Sequence, residues 1–226
     1  MITGDLQAVA LTALLAGVTT LLLIPIASPL AWWLSRSRSS IRSMIEAVVA
    51  LPLVLPPTVL GFYLLVLLNP ESTVGGMWVR LTGSSLTFSF SGLVLASMIY
   101  SLPFMVQPLH AAFRAVPQST LEAAATMNAS PWDRWLNVVL PMTLRGYITG
   151  AVLTFAHTVG EFGVVLMMGG NIPGETRVVS IAIYEHVETL NYDAAQTLAL
   201  ALLCFSFVSL WAVYRFAGHR FEVLRG

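Results

Sequence analysis

His157 and Glu161 stand four residues apart in a stretch that is otherwise uncharged, with Thr154 and Thr158 beside them. On a helix this spacing gathers a base, an acid and two hydroxyls on one face. Such a group can serve as an acid/base pair for hydrolysis, as a gate along a water-filled path, or as a hydrogen-bonded anchor between helices. The rest of the chain argues against hydrolysis. No nucleophile with a paired base is evident, and there is no H-E-x-x-H motif. Lysine is absent, so no Walker A lysine can grip ATP phosphates. The single cysteine, Cys204, excludes an intrachain disulfide and a cysteine-rich metal site. The chain is expected to bind no metal or cofactor of its own.

The element that must carry His157 and Glu161 is apolar. Of 226 residues, 57% are hydrophobic and 10% are charged, against about 25% charged in soluble domains. A bilayer core of about 30 Å needs roughly 20 apolar residues of helix. Five stretches supply them: 6–34, 47–68, 86–109, 146–168 and 194–214. Only the fourth holds a charge, Glu161. A carboxylate in a span costs about 2.5–3.5 kcal/mol on insertion scales, so it must face protein or water. The first stretch lacks the basic flank of a signal peptide and is too long for its apolar core, so it is expected as the first span. The expectation is an all-α membrane protein, one transmembrane domain over 1–226 with about five membrane helices.

Arginine sorts the connections. Arg36, Arg38, Arg42, Arg114, Arg134, Arg145, Arg215, Arg220 and Arg225 fall on one side, and only Arg80 and Arg177 on the other. The positive-inside rule places the first group in the cytoplasm, with the N-terminus outside and the C-terminus inside. Prolines punctuate the spans at 25, 29, 52, 56, 57, 103 and 108. Each removes a backbone donor and bends a helix, and the freed carbonyls must find protein or water. The dense run Leu51-Pro52-Leu53-Val54-Leu55-Pro56-Pro57 is expected to border a cavity. Gly146 and Gly150 have the G-x-x-x-G spacing of a close helix contact. On the outer side, Ile172-Pro173-Gly174-Glu175 predicts a turn, and 178–187 a short helix lying against the outer membrane face.

The cytoplasmic loop 110–140 reads as a rigid two-helix element. Ser119 and Glu122 fit a capping box. Residues 121–127 are alanine-rich, and Asn128 suits a left-handed helix stop. Ser130-Pro131 then opens a second helix, expected to end at Leu140-Pro141. Such an element suggests docking. Nucleic acid is not the expected partner, because the loop's only cations are Arg114 and Arg134.

Glu122-Ala123-Ala124, three residues, Asn128, nine residues, Val138, one residue, Leu140-Pro141 resembles the EAA motif of ABC importer permeases, E-A-A-x3-G-x9-I-x-L-P. The spacing matches throughout; Asn128 and Val138 replace the family's glycine and isoleucine. Leu51 to Pro57 with Gly61, Gly160-Glu161-Phe162-Gly163, and Asn171-Ile172-Pro173-Gly174-Glu175-Thr176-Arg177 resemble the molybdate permeases within that family. Sulfate permeases share the Gly-Glu-Phe-Gly element.

The resemblance implies a type I ABC importer transmembrane fold in the bacterial inner membrane. It implies an ATPase-coupling loop of Glu122, Ala123, Ala124, Asn128, Ala129, Leu140 and Pro141. Pro56, Pro57, His157, Glu161, Asn171, Pro173, Gly174, Thr176 and Arg177 are the candidates for the translocation path or its gate. The implied partners are a second copy of the chain, two ATP-binding subunits that hold ATP and magnesium, a periplasmic molybdate-binding protein, and membrane lipid. The implied function is molybdate translocation by alternating access. Tungstate or sulfate/thiosulfate transport is the alternative. An intramembrane hydrolase using His157 and Glu161 and a self-sufficient secondary carrier are the rivals from other classes, and the EAA-like loop speaks against both. An anionic substrate speaks against a carboxylate as its direct ligand, so Glu161 is read as anchor or gate. Some relatives carry an extra N-terminal span, for which no room is expected here.

Overall fold

The computed structural model describes residues 2–217, among which every regular element is a helix. The first, α1 (Ile2–Arg36), is the longest and runs through Pro25 and Pro29 without a break. Its buried face, including Leu15, Leu23, Ala27 and Leu34, packs on α5 (Phe90–Arg114), the central helix, and on α8 (Leu140–Gly160). Two apolar clusters stack along α5. One gathers Leu15, Leu93, Val164, Met168 and Ile181. The other gathers Leu23, Val49, Met105, Leu109 and Phe113.

Close helix approach explains the glycines of α8. A Cβ at Gly146 would lie 2.5 Å from the Ala112 Cβ, and one at Gly150 would lie 2.9 Å from the Met105 Sδ. Only glycine lets α8 come that near α5, as the G-x-x-x-G spacing predicts.

Among the described residues four membrane-length helices stand alone: Gly4–Arg36, Phe90–Arg114, Pro131–Gly160 and Tyr192–Arg215. The second expected span is a bent pair. Helix α2 (Ile41–Ala50) runs into a short 3-10 turn, Leu51–Leu53. The chain then turns by 109° into α3 (Pro57–Leu67). The cause is the proline run. Pro57 bars its predecessor from helical dihedrals, and Pro56 accordingly sits at φ −54°, ψ 134°.

The fourth expected span also differs from a single helix over 146–168. Helix α8 ends at Gly160, Glu161 turns extended (φ −69°, ψ 137°), and a short α9 (Gly163–Gly169) follows. Glu161 is therefore beyond the helical face that carries His157. The glycines at 160 and 163 weaken the helix here, and Gly163 lets α9 approach the other break. Its Cβ would lie 2.7 Å from the Pro57 Cβ. Helices α3 and α9 pack together, so the two broken spans meet.

Further elements complete this side. Helix α4 (Thr73–Thr82), capped by Ser72 and stopped by left-handed Gly83, is a short helix that apolar-run counting does not reveal. The turn at 172–175 forms as expected, with Gly174 at φ +80° and the Glu175 N–H donating to the Ile172 carbonyl. Helix α10 (Val179–Glu188) follows and packs on α1 and on α11 (Tyr192–Ala217). Most of α11 is exposed, with Leu203, Phe207 and Trp211 facing outward. Arg220, Arg225 and the C-terminal Gly226 lie outside the described residues.

Candidate functional site

The loop element expected on the cytoplasmic side is shorter than 110–140. Helix α5 extends to Arg114, and α6 (Gln118–Thr126) is the one free-standing helix of the loop. Its N-cap is Pro117, with no side-chain cap bond, so the expected Ser119–Glu122 capping box does not form. Pro117 places Ser119 inside the first turn, two residues too late to cap it.

The C-terminal end behaves as expected. Asn128 has φ +60°. The Ala129 N–H donates to the Ala124 carbonyl at 3.2 Å, and the Asn128 N–H to the Ala125 carbonyl at 3.1 Å. That pair of bonds around a left-handed residue is a Schellman motif. Glu122, Ala123, Met127 and Asn128 are exposed.

Ser130 caps α7 (Pro131–Arg134) by accepting from the Asp133 N–H. The expected stop at Leu140-Pro141 is absent. The chain continues through a π-helical turn, Trp135–Val139, directly into α8. Pro141 cannot donate to the carbonyl four residues back and its ring crowds that carbonyl. The wider π turn accommodates both, and the Leu140 N–H donates to the Trp135 carbonyl instead. Leu140 and Pro141 thus belong to the membrane helix, not to the loop.

Arg36 ties this loop to the bundle. Its guanidinium donates to the Phe113 and Val116 carbonyls at 3.2 and 3.0 Å and lies over Trp32. A cation on the last carbonyls of α5 completes bonds that the helix end leaves open. The sequence marked Arg36 only as a topology signal.

The second candidate region lies at the two broken spans. A recess of about 500 Å³ is bordered by Pro57 and Thr58 of α3, Tyr100 of α5, His157 of α8, and Glu161 at the break. Pro56 precedes this wall. Glu161 is 4% exposed, and neither carboxyl oxygen has a hydrogen-bond partner among the described residues. Buried Ser97 faces it from α5, itself unpartnered. The Glu161 backbone carbonyl accepts from the Ser180 hydroxyl, which links the break to α10.

His157 is held on two sides. Its ring stacks on Phe104 with centroids 3.9 Å apart, and Ser101 Oγ meets Nδ1 at 2.9 Å. Ser101 is wholly buried and also meets Thr158 Oγ1 at 3.0 Å. Thr158 in turn donates to the Thr154 carbonyl at 2.9 Å. A buried serine tied in this way is not presented to a substrate as a nucleophile. The serine partners were legible in outline: Ser97 and Ser101 repeat at helical spacing opposite Thr154 and Thr158.

The structure separates the other path candidates from this recess. Asn171, Pro173, Gly174, Thr176 and Arg177 lie in a separate loop, and none of them borders it. Buried Thr176 pins the loop by donating to the Gly169 carbonyl and accepting from the Ile172 N–H. Asn171 donates to Glu185. Arg177 pairs with Glu185 at 2.8 Å and with Asp5 at 3.5 Å, and His186 reaches Asp5 at 3.0 Å. The Arg177 Nε contact is an ion pair without hydrogen-bond alignment. This cluster latches the start of α1 to α10, so Arg177 is committed to carboxylates.

A family model described as the inner membrane component of binding-protein-dependent transport systems matches residues 7–220. The molybdenum transport system permease protein ModB of Azotobacter vinelandii is 54% identical over 210 residues, covering 93% of each chain. ModB of Escherichia coli K12 is 35% identical and covers 90% of each. Among solved structures, a chain of a bacterial alginate ABC transporter aligns with a TM-score of 0.73 at 16% identity, covering 96% of this chain and 79% of that one. The inward-facing MetNI methionine ABC transporter aligns with a TM-score of 0.64 at 18% identity, covering 95% and 93%. These two likenesses concern the fold. With the family match, they make this multi-pass chain a member of the binding-protein-dependent transport system inner membrane components, a permease subunit of an ABC importer.

Proposed function

We infer that this permease carries molybdate across the bacterial cytoplasmic membrane. It acts as a single transmembrane domain, in an importer of two copies of this chain, two ATP-binding subunits and a periplasmic molybdate-binding protein, surrounded by lipid. ATP and magnesium belong to the ATP-binding subunits. The observation that carries the reading is the exposed α6 with its closed turn at Asn128. A short helix held at both ends by proline and a Schellman motif is a preformed knob for a groove on a partner. It moves with the bundle, because Arg36 joins the ends of α1 and α5 beside it. ATP-driven closure of the partner pair therefore shifts α1 and α5 together, and the recess between the broken spans switches from one face to the other. Pro56, Pro57, His157 and Glu161 belong to the path in this reading. Asn171, Pro173, Gly174, Thr176 and Arg177 shape its outer rim.

The test is reconstitution of the permease with its ATPase and binding protein in proteoliposomes. ATP-dependent molybdate uptake is expected, with tungstate competing and sulfate competing weakly. Uptake that needs no ATPase sinks the reading in favour of a secondary carrier. Preference for sulfate at equal concentration reassigns the substrate.

The nine-to-two division of arginines supports a cytoplasmic C-terminus and an outer N-terminus. A cytoplasm-active reporter fused after Gly226 is expected to work. Activity only of a periplasm-dependent reporter at that position would reverse the topology.

A further inference from the structure

The hydroxyl chain behind His157 determines which of its nitrogens carries the proton. Thr158 has one hydroxyl hydrogen, and it goes to the Thr154 carbonyl. Thr158 Oγ1 must then accept from Ser101. Ser101 has spent its own hydrogen, so at its other contact it accepts, and the donor is His157 Nδ1–H. The neutral imidazole therefore keeps a lone pair on Nε2, which has no protein partner among the described residues. Glu161, bordering the same recess, has two unpartnered oxygens.

An unprotonated recess thus offers chiefly acceptors. Tyr100 is the titratable group that faces the pair from α5, and Ser97 adds a hydroxyl. From α3 come Pro57 and Thr58, and from the break and α9 come Phe162 and Gly163, none of them charged. Helix α10 sends Ser180 to the Glu161 carbonyl and sets Tyr184 against the Phe162 ring. Among the described residues no arginine borders the recess. A tetrahedral oxyanion needs donors, and an ionised carboxylate repels it. A carboxylic acid and an imidazolium, by contrast, both donate.

We propose that this recess is a proton-gated oxyanion subsite, which accepts the anion only after protons from water convert His157 Nε2 and the Glu161 carboxylate from acceptors into donors. The protons add to lone pairs already present, and no other bond forms or breaks. They leave with the anion or return to water when the recess changes face. Glu161 is then a gate whose state depends on its proton, and the objection to a carboxylate beside an anion applies only to its ionised form. Ser101 is a positioning residue, because it holds the ring with Nε2 free. The proposal rests on the recess being part of the translocation path.

The test uses the complete reconstituted importer with molybdate at a concentration that saturates the binding protein at every pH. Parent uptake per ATP hydrolysed is expected to fall as pH rises, approaching about a hundredfold per pH unit once both midpoints are passed, because two protons are required. Glu161→Gln supplies an amide donor that needs no proton and is expected to leave only the His157 proton, so that the fall shallows to about tenfold per pH unit. A parent profile that stays flat, or a Glu161→Gln profile that falls like the parent's, overturns the proposal. Net proton uptake on molybdate binding to the outward-open parent complex, read with an indicator dye, gives a measurement free of any folding defect. Proton uptake is expected, and its absence overturns the subsite. Gly160→Trp separates the two levels, since a Cβ at Gly160 meets nothing within 4 Å and its indole would fill the recess. Transport by Gly160→Trp at the parent rate shows that the recess is not the path and overturns the subsite with it. Blocked transport with an unaltered Glu161→Gln pH profile leaves the path in place and overturns the proton gate alone.

Discussion

Asn128→Val is expected to abolish co-purification with the ATPase and ATP-driven uptake, while Asn128→Gly retains both. Asn128 holds φ +60° at the end of α6. That region costs an ordinary L-residue roughly 1–2 kcal/mol, and a β-branched residue is a genuine outlier there. Asparagine tolerates it and glycine occupies it freely. Helix α6 has nine residues, no side-chain N-cap bond and few buried contacts. Isolated helices of that length are marginal, so a loss of about 1.4 kcal/mol lowers the population of the closed turn roughly tenfold. The turn's two bonds, from Ala129 to Ala124 and from Asn128 to Ala125, break together.

Ala124→Trp tests the same element sterically. Ala124 is half-buried at the position that accepts the longer bond, and an indole there props the helix off its groove. Glu122→Ala is the mild member of the set. No capping box exists for it to break, so any loss reports docking contacts and not a frayed helix. The readouts are ATPase co-purification followed by transport-coupled ATP hydrolysis. If Asn128→Val and Ala124→Trp both assemble and transport like the parent, α6 is not the coupling element.

Gly146→Ala is expected to be strongly damaging for a one-methyl change at the contact of α5 and α8. The added carbon would sit 2.5 Å from the Ala112 Cβ and 3.2 Å from the Pro108 carbonyl. The first neighbour is a side chain and the second is backbone, so α8 and α5 must separate. Overpacking of this kind costs about 1–3 kcal/mol, even though alanine is the better helix former by about 0.5–1 kcal/mol. Ala112→Gly in the same chain removes the worst contact and is expected to restore part of the loss, since the Pro108 carbonyl remains. Gly17→Ala is the control, because a Cβ there meets nothing within 4 Å; it is expected to leave stability unchanged or slightly raised. Thermal unfolding of the purified complex measures all three. Equal midpoints for Gly146→Ala and Gly17→Ala would show that α5 and α8 do not depend on this contact.

Much was determined by the sequence alone. Apolar length and arginine distribution are local quantities, and the bilayer converts them directly into spans and a proposed orientation. The left-handed turn at Asn128, the Ser130-Pro131 helix start and the Pro173-Gly174 turn were legible because each depends on a few adjacent residues. Only the tertiary structure decided the rest. The capping box failed because Pro117 starts α6 two residues earlier than Ser119 requires. The stop at Pro141 failed because a π turn absorbs its missing donor and crowded carbonyl, and α7 and α8 run on as one rod. Glu161 left its expected helical face because α8 ends at Gly160, where Gly163 brings α9 against Pro57. Arg177 read as a candidate for the path or its gate until folding brought Asp5 and Glu185 to it from two other helices. Partners so distant in sequence leave no periodic trace, because their meeting depends on how bent spans pack and not on the spacing of residues along any one of them.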